Sequence, residues 1–174
     1  RNEKKGAVAK RMSALAAHIH GREPQKIMVD MLAFTVGTGD EEDRFAGKHA
    51  YEAIKEIHEI YPEVGSTLGL SNISFGLEKH ARFYLNSVFL HHCIQAGMTS
   101  VIINVKHIIP LAKMTDEDIA ICEELLFTPD EHSLFKFIDH FADAVVEDEG
   151  ADEAYEAMSN EEKIKKLLMD GDKE

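Results

Sequence analysis

Residues 67–76 read Thr-Leu-Gly-Leu-Ser-Asn-Ile-Ser-Phe-Gly, a short apolar stretch that passes directly into small polar residues and a glycine. Thr67 to Ser71 has the pattern of a buried strand, and the segment after it is too irregular to continue one. In parallel α/β folds the C-terminal ends of the strands face the ligand, so polar groups at this junction would project into the mouth of a barrel or sheet. Two further stretches share the pattern. Upstream, Ile27 to Ala33 (IMVDMLA) is an apolar run interrupted by one acid; downstream, Val101 to Val105 (VIINV) is bounded by Pro110.

Helical patterns separate these runs. Between the first two, Asp40 is expected to cap a helix whose face carries Ala46, Ala50, Ala53, Ile54, Ile57 and Tyr61, with Pro62 as its stop. Between the second and third, Ala81, Leu85, Val88, Phe89 and His92 fall on one face, and Gly97 closes the helix. Strands alternating with helices at this spacing fit successive βαβ units with right-handed crossovers. A complete (β/α)8 barrel takes ~250 residues and eight strands. This chain offers three strands, and periodicity alone does not separate a barrel from an open sheet.

Outside this region lies a first helix from Ala7 to His20, stopped by Gly21 and Pro24. After the third strand come a helix capped by Thr115 and another carrying Leu134, Phe137, Ile138, Phe141 and Val145. Glu147 to Glu153 (EDEGADE) reads as an acidic interdomain linker, and Asn160 is expected to cap a helix containing Ile164, Leu167 and Leu168. The expected organisation is a barrel portion over 1–146, a linker over 147–159 and the start of a further helical module over 160–174. Both ends read as interior to a longer protein.

The net charge of -13 disfavours a nucleic-acid partner, because phosphate binding depends on clustered Lys and Arg. No run approaches the ~20 apolar residues of a membrane span, and no leader pattern precedes the first helix. A cytoplasmic protein is expected. Cys93 and Cys122 lie far apart inside amphipathic helices, as buried free thiols would.

Asp30 is costly to bury in an apolar strand unless it meets a partner. At a strand end, its carboxylate could accept two hydrogen bonds from a heterocycle presenting adjacent N–H and NH2 donors, as the pyrimidine edge of a pterin does. The alternative is a turn-forming Asp. Asn72 both donates and accepts, so it could follow a ligand nitrogen whose protonation changes, or it could sit in an ordinary turn. Asn104 is a weaker candidate of the same kind. Ten histidines invite a metal site, but His18 and His20 diverge at a helix end, His91 and His92 point different ways, and there is no HExxH. No metal is expected in this chain.

The segments TLGLSNISFGL, ARFYLNSVFLHHCIQAGM and SVIINVKHIIP closely resemble the folate-binding domain of cobalamin-dependent methionine synthases, and VDMLAFTVGTGDEE resembles that domain's Asp-bearing strand. EEKIKKLLMDGDKE is similar to the first helix of the cobalamin module's cap. The resemblance implies the C-terminal portion of a (β/α)8 TIM barrel followed by a helical linker and cap. It implies transfer of a methyl group from 5-methyltetrahydrofolate to cob(I)alamin for onward delivery to homocysteine. In that family's terms, Asp30 would hold the pterin, and Asn72 would act catalytically by bonding near N5, the nitrogen that leaves. Gly69 and Ser71 would shape the pocket wall and Asn104 would line it.

Met31 departs from the family, which usually places Pro after the strand Asp; proline would confine Asp30 to extended conformations. The first strands and a zinc-bearing homocysteine domain would precede Arg1. The Asp-x-His-x-x-Gly segment that ligates cobalamin is not in the sequence, so cobalamin would be held by another module and this chain alone should not turn over. Two other readings compete: a folate-dependent methyltransferase acting on a corrinoid iron-sulfur protein, which should end soon after its barrel, and a non-catalytic helical interaction module.

Overall fold

The valine-centred run after Ile27 forms β1 (Met28–Asp30), which pairs in parallel with β2 (Gly65–Thr67) in the register Met28 to Gly65, Val29 to Ser66 and Asp30 to Thr67. The Met31 N–H extends this ladder by donating to the Thr67 carbonyl at 2.8 Å. Beyond β2 the chain bridges in parallel to a third segment at Gly69 and Ile102. There Ile102 N–H donates to Leu68 at 3.0 Å and Leu70 N–H donates to Ile102 at 3.1 Å. Three parallel segments therefore lie side by side in chain order, which is not the architecture of an all-helical module. The computed structural model of the chain describes Arg11, residues 23–142, Ser159 and Glu162. It divides into two compact units, Arg1–Ala144 and Val145–Glu174.

The strands are shorter than the apolar runs. Ile27 to Ala33 was expected to stay extended, yet Leu32 turns to φ 48°, a region that non-glycine residues seldom occupy. The Leu32 N–H donates to Asp30 Oδ1 at 2.9 Å, so the aspartate that ends the strand also bends the chain. Thr67 to Ser71 ends early because Leu70–Ser74 coils into a 3-10 helix. In Val101 to Val105, Asn104 Oδ1 accepts from Lys106 N–H at 3.1 Å and starts a 3-10 turn over Val105–His107.

The helices between the strands are α1 (Ala46–Ile60) and α2 (Lys79–Gln95), followed by α3 (Asp116–Phe127) and α4 (Ser133–His140). Asp40 does not cap α1: it accepts from Glu42 N–H at 2.9 Å and holds a turn, and the helix starts later, at Ala46. The expected face of Ala46, Ala50, Ala53, Ile54 and Ile57 is buried, and Tyr61 stands half-buried at the C-cap before Pro62. Along α2, Ala81, Leu85, Val88, Phe89 and Cys93 are buried, and Gly97 takes the positive φ of 99° that ends the helix region. Thr115 caps α3 in a reciprocal capping box with Asp118. In α4, Phe137 is buried but Ile138 is exposed.

Several apolar residues in and just after the strands carry little cover. Met28, Leu32, Ile102 and Val105 are exposed, Ile102 at 68%. Cys93 and Cys122 are free and buried. Among the described residues no helix is long and apolar enough to cross a membrane, and no group of three or more His, Cys, Asp or Glu side chains could hold a metal. The expected helix over Ala7 to His20, with His18 and His20, the linker and most of the terminal helix lie outside the described residues. Ser159 N–H and hydroxyl donate to Glu162 Oε2 at 2.9 and 2.7 Å, and the expected cap Asn160 lies outside the described residues.

Candidate functional site

Three strand ends place the candidate residues. Asp30 closes β1; Gly69, Ser71 and Asn72 follow β2; Asn104 follows the bridge at Ile102. All five therefore stand at the C-terminal ends of adjacent parallel segments, where α/β folds build their sites. Asp30 is exposed, and its second oxygen has no partner among the described residues. The turn and binding roles are compatible, since Leu32 uses one oxygen and a ligand can use the other.

Asn72 sits in the 3-10 helix with its backbone engaged: its N–H donates to Gly69 and its carbonyl accepts from Phe75, both at 3.3 Å. Its exposed carboxamide makes no hydrogen bond among the described residues. Gly69 lies directly beneath it. A Cβ on residue 69 would come within 3.1 Å of Asn72 Nδ2, so the glycine leaves the space in which the carboxamide rests.

The loops behind Asp30 and Asn72 are tied together. Val36 N–H donates to the Ile73 carbonyl at 2.9 Å and the Thr35 hydroxyl donates to the Phe75 carbonyl at 2.6 Å. Gly37 permits this closeness, because a Cβ there would meet Phe75 O and Leu77 Cγ at 2.7 Å. From the other side Arg82, on α2, donates through Nε to Ser74 Oγ at 3.1 Å and through a terminal nitrogen to the Ser71 carbonyl at 3.2 Å.

Beside these residues opens a cavity of about 300 Å3 whose wall includes Ser71 and Asn104 but neither Asp30 nor Asn72. Asn104 is only partly available, since its oxygen caps the following turn and its nitrogen lies 3.3 Å from His107 Nε2. The rest of the wall was not anticipated from the sequence: Lys79, Arg82 and Asn86 of α2, with His107 stacked on Phe83 at a centroid distance of 4.4 Å. A signal existed. Positions 79, 82, 83 and 86 recur at i, i+3, i+4 and i+7, a single helical stripe, but this one mixes charge, amide and ring and escapes a search for apolar faces.

Residues 2–104, more than half of the chain and inclusive of every candidate above, match the family described as "Pterin binding enzyme". The chain belongs to the pterin-binding enzyme family. Among curated relatives, the methionine synthase of Mycobacterium tuberculosis (strain ATCC 25618 / H37Rv) is 41% identical over 125 residues, covering 72% of this chain and 10% of that protein. The methionine synthase of Mycobacterium leprae (strain TN) is 44% identical over 115 residues, covering 66% of this chain and 10% of that protein. The chain spans about a tenth of the length of these relatives. As in other α/β ligand sites, this member of the pterin-binding enzyme family presents its polar residues from strand ends while the helices supply the walls.

Proposed function

We propose that this chain is the C-terminal portion of a (β/α)8 barrel that binds 5-methyltetrahydrofolate and serves methyl transfer to cob(I)alamin in a cytoplasmic methionine synthase. The single observation that carries the reading is the placement of Asp30 and Asn72 at neighbouring parallel strand ends, each with a polar group left unpartnered among the described residues. The exposed apolar side chains of Met28 and Ile102 on the sheet support a barrel whose other strands come from elsewhere in a longer protein. On this reading residues 147–159 link the barrel to a cobalamin module beginning near 160, and the homocysteine domain with its zinc lies outside the chain.

The residues fit the pterin's chemistry. The uncommitted oxygen of Asp30 accepts from the donor edge of the pyrimidine in a charge-assisted bond. The carboxamide of Asn72 lies near N5 and accepts a hydrogen bond as that nitrogen gains its proton, which favours departure of the methyl group. Cob(I)alamin, held by another module, supplies the nucleophile that takes the methyl group. Gly69 and Ser71 shape the wall, and Asn104 contributes through what its capping role leaves free.

Two substitutions in the full-length protein test the assignment. Asp30→Asn should mainly weaken folate binding, by about 1.5–3 kcal/mol for a lost charge-assisted bond. Asn72→Ala should slow single-turnover transfer by more than it weakens binding. Stopped-flow loss of cob(I)alamin absorbance and folate titration measure the two quantities. An unchanged transfer rate in Asn72→Ala would leave Asn72 a turn residue.

A further inference from the structure

Leu32 is, among the described residues, the one non-glycine residue with a positive φ, at 48°. In that region the Cβ of an L residue crowds its own backbone, and leucine has no polar side-chain atom to form the local hydrogen bond that lets Asn or Asp tolerate it. Core packing of the Leu32 side chain does not account for the conformation, because that side chain is 57% exposed while Met31 and Ala33 on either side are buried. What the conformation achieves is a hydrogen bond: the Leu32 N–H donates back to Asp30 Oδ1 at 2.9 Å. Strained backbone persists where its surroundings over-determine it, and it concentrates where a functional group has to be aimed.

The surroundings that fix this turn lie on both sides of it. Upstream, Met31 is buried and its N–H donates to the Thr67 carbonyl at 2.8 Å. Downstream, Ala33 is buried, and Thr35 and Val36 bond to Phe75 and Ile73 in the segment after β2. Leu32 is thereby held between two anchored stretches with its N–H against Asp30. Asp30 is itself exposed, and an exposed carboxylate without such a tether samples several rotamers and loses that freedom when it binds. The tether engages Oδ1, restricts the turning of the carboxylate and so sets the direction in which its other oxygen faces.

We propose that Leu32 is a positioning residue for pterin binding: its left-handed backbone holds an N–H against Asp30 Oδ1 so that the second oxygen is already aimed at the donor edge of the ligand. The proposal rests on the function proposed above, in which Asp30 takes the pterin. Leu32 acts through Asp30 and by its backbone, so its side chain counts only through the φ that it permits.

Calorimetric titration of the full-length protein with 5-methyltetrahydrofolate, beside single-turnover transfer at saturating folate, tests it. Leu32→Pro, which has no N–H and cannot take a positive φ, should weaken folate binding about tenfold, the order of one charge-assisted contact, with the transfer rate nearly unchanged. Leu32→Asn keeps the N–H and tolerates the left-handed region, so its affinity should stay within about twofold of wild type and its thermal midpoint should not fall. In an Asp30→Ala background Leu32→Pro should weaken binding no further, whereas a merely structural role would persist there. If Leu32→Pro unfolds the domain at the assay temperature, Leu32→Val gives the same comparison, since its β-branch disfavours the left-handed region while the N–H and apolar bulk remain. Wild-type affinity in the folded variant, an equal loss in the Asp30→Ala background, or a loss in Leu32→Asn as great as in Leu32→Pro overturns the inference, while weakened binding by Asp30→Ala alone keeps the proposed function standing. Undiminished folate binding by Asp30→Ala removes Asp30 from the pterin, and the proposed assignment falls together with this inference.

Discussion

Asn72 lays its carboxamide over Gly69, close enough that a Cβ on residue 69 would stand 3.1 Å from Nδ2. At that separation one of the two groups must give by a few tenths of an ångström, and the exposed carboxamide is the freer of the pair. Gly69→Ala should therefore act on Asn72 at a distance from any ligand. We expect single-turnover methyl transfer in the full-length protein to slow several-fold, about 1 kcal/mol in barrier, with a smaller change in folate affinity. A rate indistinguishable from wild type would show that the carboxamide position is not set by Gly69.

Met31 occupies the place where the resembling family usually has proline, and its N–H is in use, donating to Thr67 at 2.8 Å. Its side chain is 2% exposed. Met31→Pro should remove the ladder bond and part of the core filling together, lowering stability by about 2 to 4 kcal/mol in urea unfolding. A neutral outcome would mean that the strand repacks around the ring.

Cys93 and Cys122 should be inert in the native protein. Burial pushes the Cys93 thiol up to about 12, and burial, with Asp118 and Glu123 adding negative charge, raises that of Cys122. Both thiols therefore stay protonated at neutral pH, and only thiolates react. In the full-length protein these two positions should be labelled by a thiol reagent only in denaturant, read by peptide mass spectrometry; native labelling of either would contradict the packing of α2 against α3.

Acid should loosen the α3–α4 region as Asp118 is protonated. Burial alone would raise its carboxyl, but hydrogen bonds from His140 at 2.7 Å and from Thr115, with the charge of His140, outweigh it and hold the carboxyl below its ordinary value. A folded pKa below the unfolded one adds stability that is present above the unfolded value near 4 and is lost as pH falls through the folded one. Asp118→Asn should flatten the fall in thermal midpoint below about pH 4. It should also weaken the capping box, so Thr115→Ala, expected to cost about 1 kcal/mol, serves as the control for cap loss without loss of the carboxylate.

The 174-residue chain expressed alone should self-associate. Met28 and Ile102 on the sheet, with Leu32 and Val105 just after the strands, are exposed, and the segment at Ile102 ends the sheet with an unpaired edge among the described residues. Size-exclusion chromatography should show concentration-dependent oligomers; a monodisperse monomer with strongly protected strand amides would count against a partial barrel.

Much of this was legible in the residues. Thr115 with Asp118, Pro62 after Tyr61 and Gly97 after α2 are local signals, and local hydrogen bonds honour them. Asp30, Asn72 and Asn104 stood out as polar groups at the ends of apolar runs, although an ordinary turn role competed at each. Strand lengths were not legible, since IMVDMLA reads as one extended run and only the Asp30 to Leu32 hydrogen bond reveals where it bends. Asp40 looked like a cap because a turn-forming Asp and a capping Asp offer the same oxygen to a nearby N–H. Lys79, Arg82 and Asn86 were missed because what joins them is a cavity beside the turn after β2, to which Arg82 bonds, a long-range relationship that no spacing within α2 encodes.

The bonds from Thr35 and Val36 to Phe75 and Ile73 carry a thermodynamic consequence. They make the segments behind Asp30 and Asn72 one mechanical piece, so the ordering entropy of the pterin contacts is spent when the chain folds and not when the substrate arrives. Association at this face should then show a small entropic penalty and little slowing from conformational rearrangement. Thr35→Val, which removes the hydroxyl donor with little change in bulk, should shift that penalty into the binding step, appearing in calorimetry as a less favourable entropy at nearly constant heat-capacity change.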